Sequence, residues 1–276
     1  MPPLRWLSAW DQGMTQGPSH VVMYSGGMGS YFAAKRVIAR HGAENVVLLF
    51  ADTSMEDQDL YRFLDDSERT LGARMVRIRD GRTPWDVYFQ HRFIGNWRRS
   101  KCSTELKRKP CDEWVQEHCT VETTQIYVGI DWSEEHRFER IKERHLPWVY
   151  RAPLCEAPYI NRGQMLRQMT EDGLDPPRLY SMGFSHNNCG GFCIKAGKAH
   201  FANLLRTMPE RYAFHEAQER EFQRRFAKQE TILVEGRGDK TRRLTLEALR
   251  QRLEKTPELP EADKHDWGGC GCFAGI

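Results

Sequence analysis

The stretch His20-Val-Val-Met-Tyr-Ser-Gly-Gly-Met-Gly-Ser30 decides the fold of this chain. Its apolar run, residues 21–24, predicts one buried parallel strand. A glycine-rich turn follows at residues 25–30, and the segment 31–40 then has the pattern of a helix. This order predicts an anion site, because backbone N–H groups and the helix dipole favour negative charge at a helix N-terminus.

Five residues of the turn are predicted to bind phosphates. Glycines allow positive φ and let a phosphate approach the backbone without meeting a Cβ atom, while serine hydroxyls add hydrogen-bond donors. The five are Ser25, Gly26, Gly27, Gly29 and Ser30. The turn matches neither the G-x4-G-K-S/T loop nor the G-x-G-x-x-G fingerprint, so a strand-to-helix turn without a ligand remains the alternative.

Further apolar runs predict the rest of a sheet. They lie at residues 45–51, 75–78, 125–130 and 148–152, with helical patterns between them, for example at residues 56–71 and 83–93. Alternating strands and helices predict an α/β fold with a doubly wound, mostly parallel, Rossmann-like sheet. Ligands of such sheets lie at the carboxyl ends of strands. Asp52 and Thr53 fall there, and Asp52-Thr53-Ser54 is also predicted to cap the next helix.

Composition limits the class of protein. The 276 residues carry a formal net charge of +3, and no apolar run approaches the ~20 residues of a membrane span. The N-terminus has no secretory signal pattern, so we expect a cytoplasmic protein without membrane contact. Basic clusters at residues 98–109 and 220–228 are typical of solvated helix faces, and they also suit the phosphates of a nucleotide or a nucleic acid.

The cysteines form two close pairs far apart in the sequence. Cys189 and Cys193 are separated by three residues, and Cys270 and Cys272 by one. Two such pairs suit a four-thiolate site for zinc or for a 4Fe–4S cluster, whereas the alternative is a set of unliganded thiols. In a cytosolic chain, metal-bound, catalytic or reduced cysteines are expected rather than disulfides.

The turn at residues 25–30 resembles the S-G-G-x-x-S pyrophosphate loop, or PP-loop, of the adenine nucleotide alpha-hydrolase superfamily. That superfamily includes the N-type ATP pyrophosphatases and the phosphoadenosine phosphosulfate (PAPS) reductases. Many members carry an aspartate before the final serine, where this chain has Gly29. A carboxylate that helps to hold Mg²⁺ is therefore missing, which weakens the ATP-cleaving interpretation more than nucleotide binding itself.

Four further stretches resemble motifs of the PAPS reductase family, in the expected order. Ala51-Asp-Thr53, with Glu56 and Tyr61, is similar to the motif that contacts adenosine. Cys102 to Pro110 is similar to C-x-x-x-L-K-x-x-P. Gly129-Ile-Asp131, with Glu134 and Arg137, resembles G-x-R-x-x-E-S-x-x-R, with Asp131 in place of the inner arginine. Leu179-Tyr180, Gly183-Phe184, Cys189 and Cys193 resemble an L-Y-x-x-G-Y segment that leads to paired cysteines.

Two departures limit what the resemblance implies. Iron–sulfur members carry adjacent cysteines before the L-K motif, whereas Cys102 is followed by Ser103. The reductases end in an E-C-G-x-H segment with the sulfur nucleophile, whereas this chain ends Gly269-Cys270-Gly-Cys272-Phe273 and three more residues. The missing segment counts against sulfonucleotide reduction, as Gly29 counts against ATP cleavage.

The resemblance implies an adenine-nucleotide-binding enzyme with sulfur-related chemistry. ATP or PAPS would bind at the phosphate loop, with Asp52, Thr53 and Gly129 nearby. Lys107 and Arg137 would stabilise developing charge, and Cys272 would be the thiolate nucleophile of sulfonucleotide reduction, with a thioredoxin-like redox partner. Metal ligands would be Cys189, Cys193, Cys270 and Cys272, with Cys102 competing for a position.

Two alternatives remain open. One is an ATP pyrophosphatase that adenylylates an acceptor, for example a nucleic acid, for thiolation. The other is a nucleotide-binding regulatory module without turnover. In each case we expect an N-terminal extension at residues 1–18, a nucleotide-binding PP-loop domain at residues 19–194, and a helical region at residues 195–276 that ends in the cysteine-bearing tail.

Overall fold

A six-stranded sheet forms the centre of the protein. The computed structural model describes residues 5–6 (backbone only), 17–96, 99–236 and 241–268. The strands are β1 (Arg5–Trp6), β2 (His20–Met23), β3 (Val46–Asp52), β4 (Arg74–Arg79), β5 (Gln125–Val128) and β6 (Val149–Arg151). Their order is β1-β4-β3-β2-β5-β6, in which β2 to β6 pair in parallel and β1 pairs antiparallel to β4. The predicted α/β fold with a mostly parallel, Rossmann-like sheet is confirmed.

Helices connect the strands and continue beyond them. The first group is α1 (Met28–His41), α2 (Gln58–Leu71), α3 (Pro84–His91), α4 (Lys101–Ser103), α5 (Lys109–His118), α6 (Glu135–Arg144) and α7 (Arg162–Glu171). A single π turn, Thr104–Arg108, joins α4 to α5. After the sheet come α8 (Arg178–Ser181), α9 (Lys198–Thr207), α10 (Pro209–Phe226), the hairpin of β7 (Leu233–Glu235) and β8 (Arg242–Leu244), α11 (Leu246–Lys255) and α12 (Glu261–Lys264). None of the described helices is both long and apolar enough to span a membrane.

Alternate residues of each strand pack on opposite faces of the sheet. Val22 contributes to an apolar cluster with α1, α2 and α7, whereas Val21 and Met23 contribute to a second cluster with α5 and α6. Because β2 and β3 are covered on both faces, they read as continuous apolar runs rather than alternating ones. A third cluster joins α3 to α9, α10 and α11 around Phe192 and Phe201. The sheet is thus covered by helices on both faces, with a separate core beside it.

Two local predictions are wrong. Asp52-Thr53-Ser54 does not cap α2, because Asp52 is still the last residue of β3 and the chain turns at Ser54 with φ of +58°. The N-cap is Asp57, whose side chain accepts a hydrogen bond from the Asp59 N–H at 3.0 Å. The sequence pattern of residues 178–193 also predicts a loop, whereas the structure has α8 and a 3₁₀ turn at Asn188–Gly191 there.

Candidate functional site

The phosphate loop lies between β2 and the N-terminus of α1. Gly27 is the N-cap residue, and the first turn of α1 contains no acidic side chain that would repel an anion. Gly26 has φ of +74°, a conformation that glycine adopts without strain. The Ser30 hydroxyl donates to the Gly27 carbonyl at 2.8 Å. Because the first N–H groups of a helix lack intrahelical acceptors, this end of α1 can bind an anion.

Two glycines allow the end of β5 to approach the loop. A Cβ atom added to Gly29 would lie 2.7 Å from the Gly129 carbonyl oxygen, and one added to Gly129 would lie 2.5 Å from the Ser30 nitrogen. No side chain fits at either position without displacing backbone. The packing around position 29 therefore leaves no room for an aspartate side chain.

Asp52 is buried at the end of β3 and is engaged by the protein itself. One carboxylate oxygen accepts hydrogen bonds from the Ser54 N–H and the Tyr61 hydroxyl, at 2.8 and 3.0 Å. The other accepts from the Arg79 guanidinium, with a contact of 2.7 Å. A carboxylate with donors on both oxygens has little capacity left for a ligand. Asp52 thus orders the strand ends, and its neighbour Thr53 lines the cavity described next.

Three of the predicted metal ligands line one cavity. The cavity is bounded by Cys102, Cys189 and Cys193, together with Thr53, Tyr88, Lys107 and Lys195. Lys107 is 4 % exposed and Lys195 5 % exposed. Burying two ammonium groups is costly unless anionic or polar groups face them. The cavity therefore combines thiols with positive charge, which suits an anionic ligand or a cluster held by thiolates.

Tyr88 faces the same cavity and donates its hydroxyl hydrogen to the Cys102 sulfur at 3.2 Å. Burial, followed by the neighbouring cysteines, raises the pKa of Tyr88 well above its usual value. The phenol therefore stays protonated and remains a donor. A donor directed at sulfur favours the thiolate or metal-bound form of Cys102 over the neutral thiol.

The π turn places Cys102 and Lys107 on the same side of the helical segment from α4 to α5. Its hydrogen bond runs from the Lys109 N–H to the Thr104 carbonyl, a separation of five residues. In a regular α-helix, two residues five positions apart lie about 140° apart around the axis. The π turn accommodates one extra residue, so both side chains reach the cavity.

The turn that carries Cys189 is held by a buried carboxylate and a half-buried guanidinium. Cys189, Gly190 and Gly191 have φ values of +51°, +59° and +83°. The Cys189 N–H donates to the Glu56 carboxylate at 2.6 Å, and the Arg211 guanidinium donates to the carbonyls of Met55 and Cys189. Burial lowers the pKa of Arg211 from its usual value. These contacts fix a left-handed backbone that is unfavourable for cysteine.

Glu56 joins the sheet to the cysteine cavity. The Thr53 hydroxyl donates to its Oε1 at 2.9 Å, and the Lys107 Nζ lies 3.4 Å from the same oxygen. Its other oxygen accepts the Cys189 N–H. One carboxylate therefore contacts the end of β3, the segment from α4 to α5, and the cysteine turn.

The segment with Cys189 also contacts the phosphate loop. The Asn187 amide donates to the Gly26 carbonyl at 3.2 Å, and the Met28 N–H donates to the Tyr180 hydroxyl at 3.1 Å. Arg178, at the start of α8, forms an ion pair with Asp57 at 2.8 Å. The loop and the cysteine cavity thus share one connecting segment, residues 178–193.

The remaining predicted residues are distributed as follows. Arg137 lies on α6 and forms an ion pair with Glu134, and it is not among the residues that line the cysteine cavity. Cys270 and Cys272 lie outside the described residues. Within the described part of the chain, no three histidine, cysteine or acidic side chains stand close enough to hold a metal ion. The roles predicted for Arg137, Cys270 and Cys272 remain predictions.

Several residues of this region carried no role in the sequence-based prediction of the site. Tyr88 and Arg211 lie on helices whose patterns indicate packing, and their contacts depend on tertiary structure. Glu56 and Tyr180 belong to the motifs that resemble the PAPS reductase family, which is the one signal that singles them out. Asn187 precedes the paired cysteines by two residues, and nothing in its local sequence indicates its contact with Gly26.

Known proteins that resemble this chain are found among solved structures. No protein-family model matches the chain, and no curated protein matches it. Among solved structures, the chain is similar to the PAPS reductase from Candida auris in its phosphate complex, with 13 % sequence identity and a TM-score of 0.41. That similarity covers 60 % of this chain and 78 % of the other. A proposal for the function therefore rests on the residues and contacts of the chain itself.

Proposed function

We propose that the protein is an adenine-nucleotide-binding enzyme of the PAPS reductase-like group, which acts on a sulfonucleotide through a thiolate. The phosphates bind at the loop formed by Ser25, Gly26, Gly27, Gly29 and Ser30, and the adenosine lies towards Thr53. The sulfo group reaches the cavity of Cys102, Cys189 and Cys193.

One observation carries the proposal: an anion-binding helix end and a cavity of three cysteines are joined through common residues. Thr53 follows the strand end next to the loop and lines the cavity, and residues 178–193 contact both. A sulfonucleotide carries its phosphate and its sulfo group a few bonds apart. Such a ligand can therefore place its phosphate at the helix end while its sulfo group reaches towards the cavity.

The chemistry follows from the residues of the site. The thiolate predicted at Cys272 attacks the sulfur of the sulfo group, the S–O bond to the phosphate breaks, and the nucleotide leaves with the electron pair. A second thiol then displaces sulfite and leaves a disulfide, which an external dithiol of the thioredoxin type reduces. Lys107 stabilises negative charge on the sulfo oxygens. Arg137 is proposed for the same role on the phosphate.

Mg²⁺-assisted cleavage of ATP is the less favoured reaction. A carboxylate at position 29 would help to hold the cation. A Cβ atom at that position, however, would lie only 2.7 Å from the Gly129 carbonyl oxygen, so an aspartate does not fit there. The contact supports sulfonucleotide chemistry over adenylylation of an acceptor.

The three thiols of the cavity are donors of the type that holds a 4Fe–4S cluster, and they would have to move closer together to bind one. Lys107 and Lys195 offset the negative charge of a thiolate-bound cluster. Gly268 forms a β-bridge with Ala196, three residues after Cys193, and Cys270 follows Gly268 within about 7 Å of extended chain. We propose that a tail cysteine supplies the fourth ligand. A bound cluster would supply redox capacity next to the sulfo group, where Lys107 and Lys195 supply positive charge.

Titration calorimetry tests the proposal. Anaerobically purified protein is titrated separately with PAPS and with ATP–Mg²⁺, and sulfite release is then assayed with a dithiol reductant. Tighter binding of PAPS together with sulfite release is the expected result. Preference for ATP with release of pyrophosphate would instead favour adenylylation. A nucleotide that binds without being converted, with reductant and metal restored, would favour a regulatory module. The absence of binding to either would overturn the nucleotide assignment.

Replacement of both Cys189 and Cys193 by serine tests the cluster. We expect the variant to lose iron and the visible absorption of the cluster, because serine is a poor ligand for this site. Cys155→Ser is the matched control: Cys155 is half-buried and does not line the cavity. Unchanged iron or zinc content in the double variant would show that the metal assignment is wrong.

A further inference from the structure

The hydroxyl of Tyr180 lies at the N-terminus of α1, where a ligand phosphate would bind. It accepts the Met28 N–H at 3.1 Å. A Cβ atom added to Gly27 would lie 3.1 Å from the same hydroxyl, which places the phenol oxygen directly against the N-cap residue. Met28 is the first residue of α1, and its N–H has no acceptor within the helix. The phenol oxygen therefore occupies a position that suits an anion oxygen.

The side chain of Tyr180 is held in this position by its surroundings. The Arg162 guanidinium lies over its ring at 5.0 Å from the centroid. Arg162 itself donates to the carbonyls of Phe184 and Ser185 at 2.9 and 2.7 Å. The neighbouring Leu179 is completely buried. Packing around the ring thus helps to fix the hydroxyl, in addition to its hydrogen bond with the Met28 N–H.

We propose that Tyr180 sets the anion affinity of the phosphate loop by competing for the Met28 N–H. This inference rests on the proposed function, since it concerns the same loop. An anion that uses all the first-turn N–H groups must displace the phenol oxygen, whereas a smaller anion binds to those of Gly29 and Ser30 alone. Tyr180, on α8, would thereby determine which anions the phosphate loop binds tightly.

Tyr180→Phe provides the test, because it removes the hydroxyl and keeps the ring under Arg162. Inorganic pyrophosphate is the probe, and calorimetry of the full-length protein is the measurement. We expect roughly two- to tenfold tighter binding to the variant, since the ligand no longer breaks a protein hydrogen bond of ordinary strength. Amide exchange at Met28 in the absence of anion should also become faster in the variant.

Tyr31→Phe is the matched control, because it removes the hydroxyl of a tyrosine on α1, the helix whose N-terminus forms the anion site. That hydroxyl donates to Asp172 at 2.9 Å and does not contact the loop, so pyrophosphate affinity should stay at the wild-type value. Equal or weaker binding of pyrophosphate to Tyr180→Phe overturns the inference. If that occurs while wild-type protein still binds adenine nucleotide, the proposed function stands. Failure of every variant and of the wild type to bind pyrophosphate or nucleotide overturns both.

Discussion

Gly29 shows how a single residue can define this site. Its missing side chain leaves room for the Gly129 carbonyl oxygen, which would lie 2.7 Å from a Cβ atom, and so the end of β5 closes against the phosphate loop. A glycine-rich turn was predictable from the sequence. The partner that makes this particular glycine indispensable was not, because it is 100 residues away.

Gly29→Ala is expected to destabilise the protein by about 1–3 kcal/mol, because backbone must move to admit the methyl group. It should also weaken nucleotide binding, since the displaced backbone includes the N–H groups that bind phosphate. Chemical denaturation and calorimetry measure the two effects. Gly163→Ala, in the first turn of α7 with its nearest contact at 3.4 Å, should neither destabilise the protein nor weaken nucleotide binding. Wild-type stability in Gly29→Ala would contradict the close approach.

Among the elements, the β7–β8 hairpin depends on a buried carboxylate of α10. The two oxygens of Glu219 accept the N–H groups of Ile232 and Leu246, at 2.9 and 2.7 Å. Burial, the largest cause, raises the pKa of Glu219 to about 7, against the two hydrogen bonds and with a small contribution from Glu216. The hairpin was not predicted from the sequence, because its strands are short and are ordered by this contact with α10.

The raised pKa predicts a pH dependence of stability. Between about pH 4.5 and pH 7 the folded protein retains a proton that the unfolded chain has lost, so stability decreases as the pH rises through this window. The loss amounts to at most about 3 kcal/mol. Urea denaturation of Glu219→Gln, which cannot titrate, should show a shallower decrease between pH 5 and pH 8 than wild type. Parallel stability curves for the two proteins would contradict the prediction.

Across the whole molecule, Glu56 connects parts that belong to different apolar cores. Its partners are Thr53 at the sheet, Lys107 beside the π turn, and the Cys189 turn that leads to the helical region. The sheet and its helices were predictable because apolar runs and glycine-rich turns are local signals. The cysteine cavity was predictable only as a set of candidate ligands, since segments from residues 53 to 195 meet there.

Glu56→Gln should destabilise the protein by about 1–3 kcal/mol, because an amide nitrogen would face a donor and Lys107 would lose an anionic neighbour. It should also increase the rate at which Cys189 reacts with iodoacetamide, because the turn is released from its acceptor. Denaturation and mass spectrometry measure the two changes. Glu221→Gln, which removes an exposed carboxylate on α10, serves as the control and should leave both unchanged. An unaltered alkylation rate in Glu56→Gln would show that the carboxylate does not hold the turn.

The π turn at Thr104–Arg108 has a consequence for any comparison of related sequences. With the extra residue present, a cysteine and a lysine five positions apart serve one cavity. Without the π turn, the same five-position spacing would put the two side chains about 140° apart, whereas a four-position spacing in a regular helix would put them about 40° apart and on one side. A relative that keeps the cavity must therefore keep the π turn together with the five-position spacing, or lose the π turn and one residue together. In this segment, the type of helix and the number of residues depend on each other.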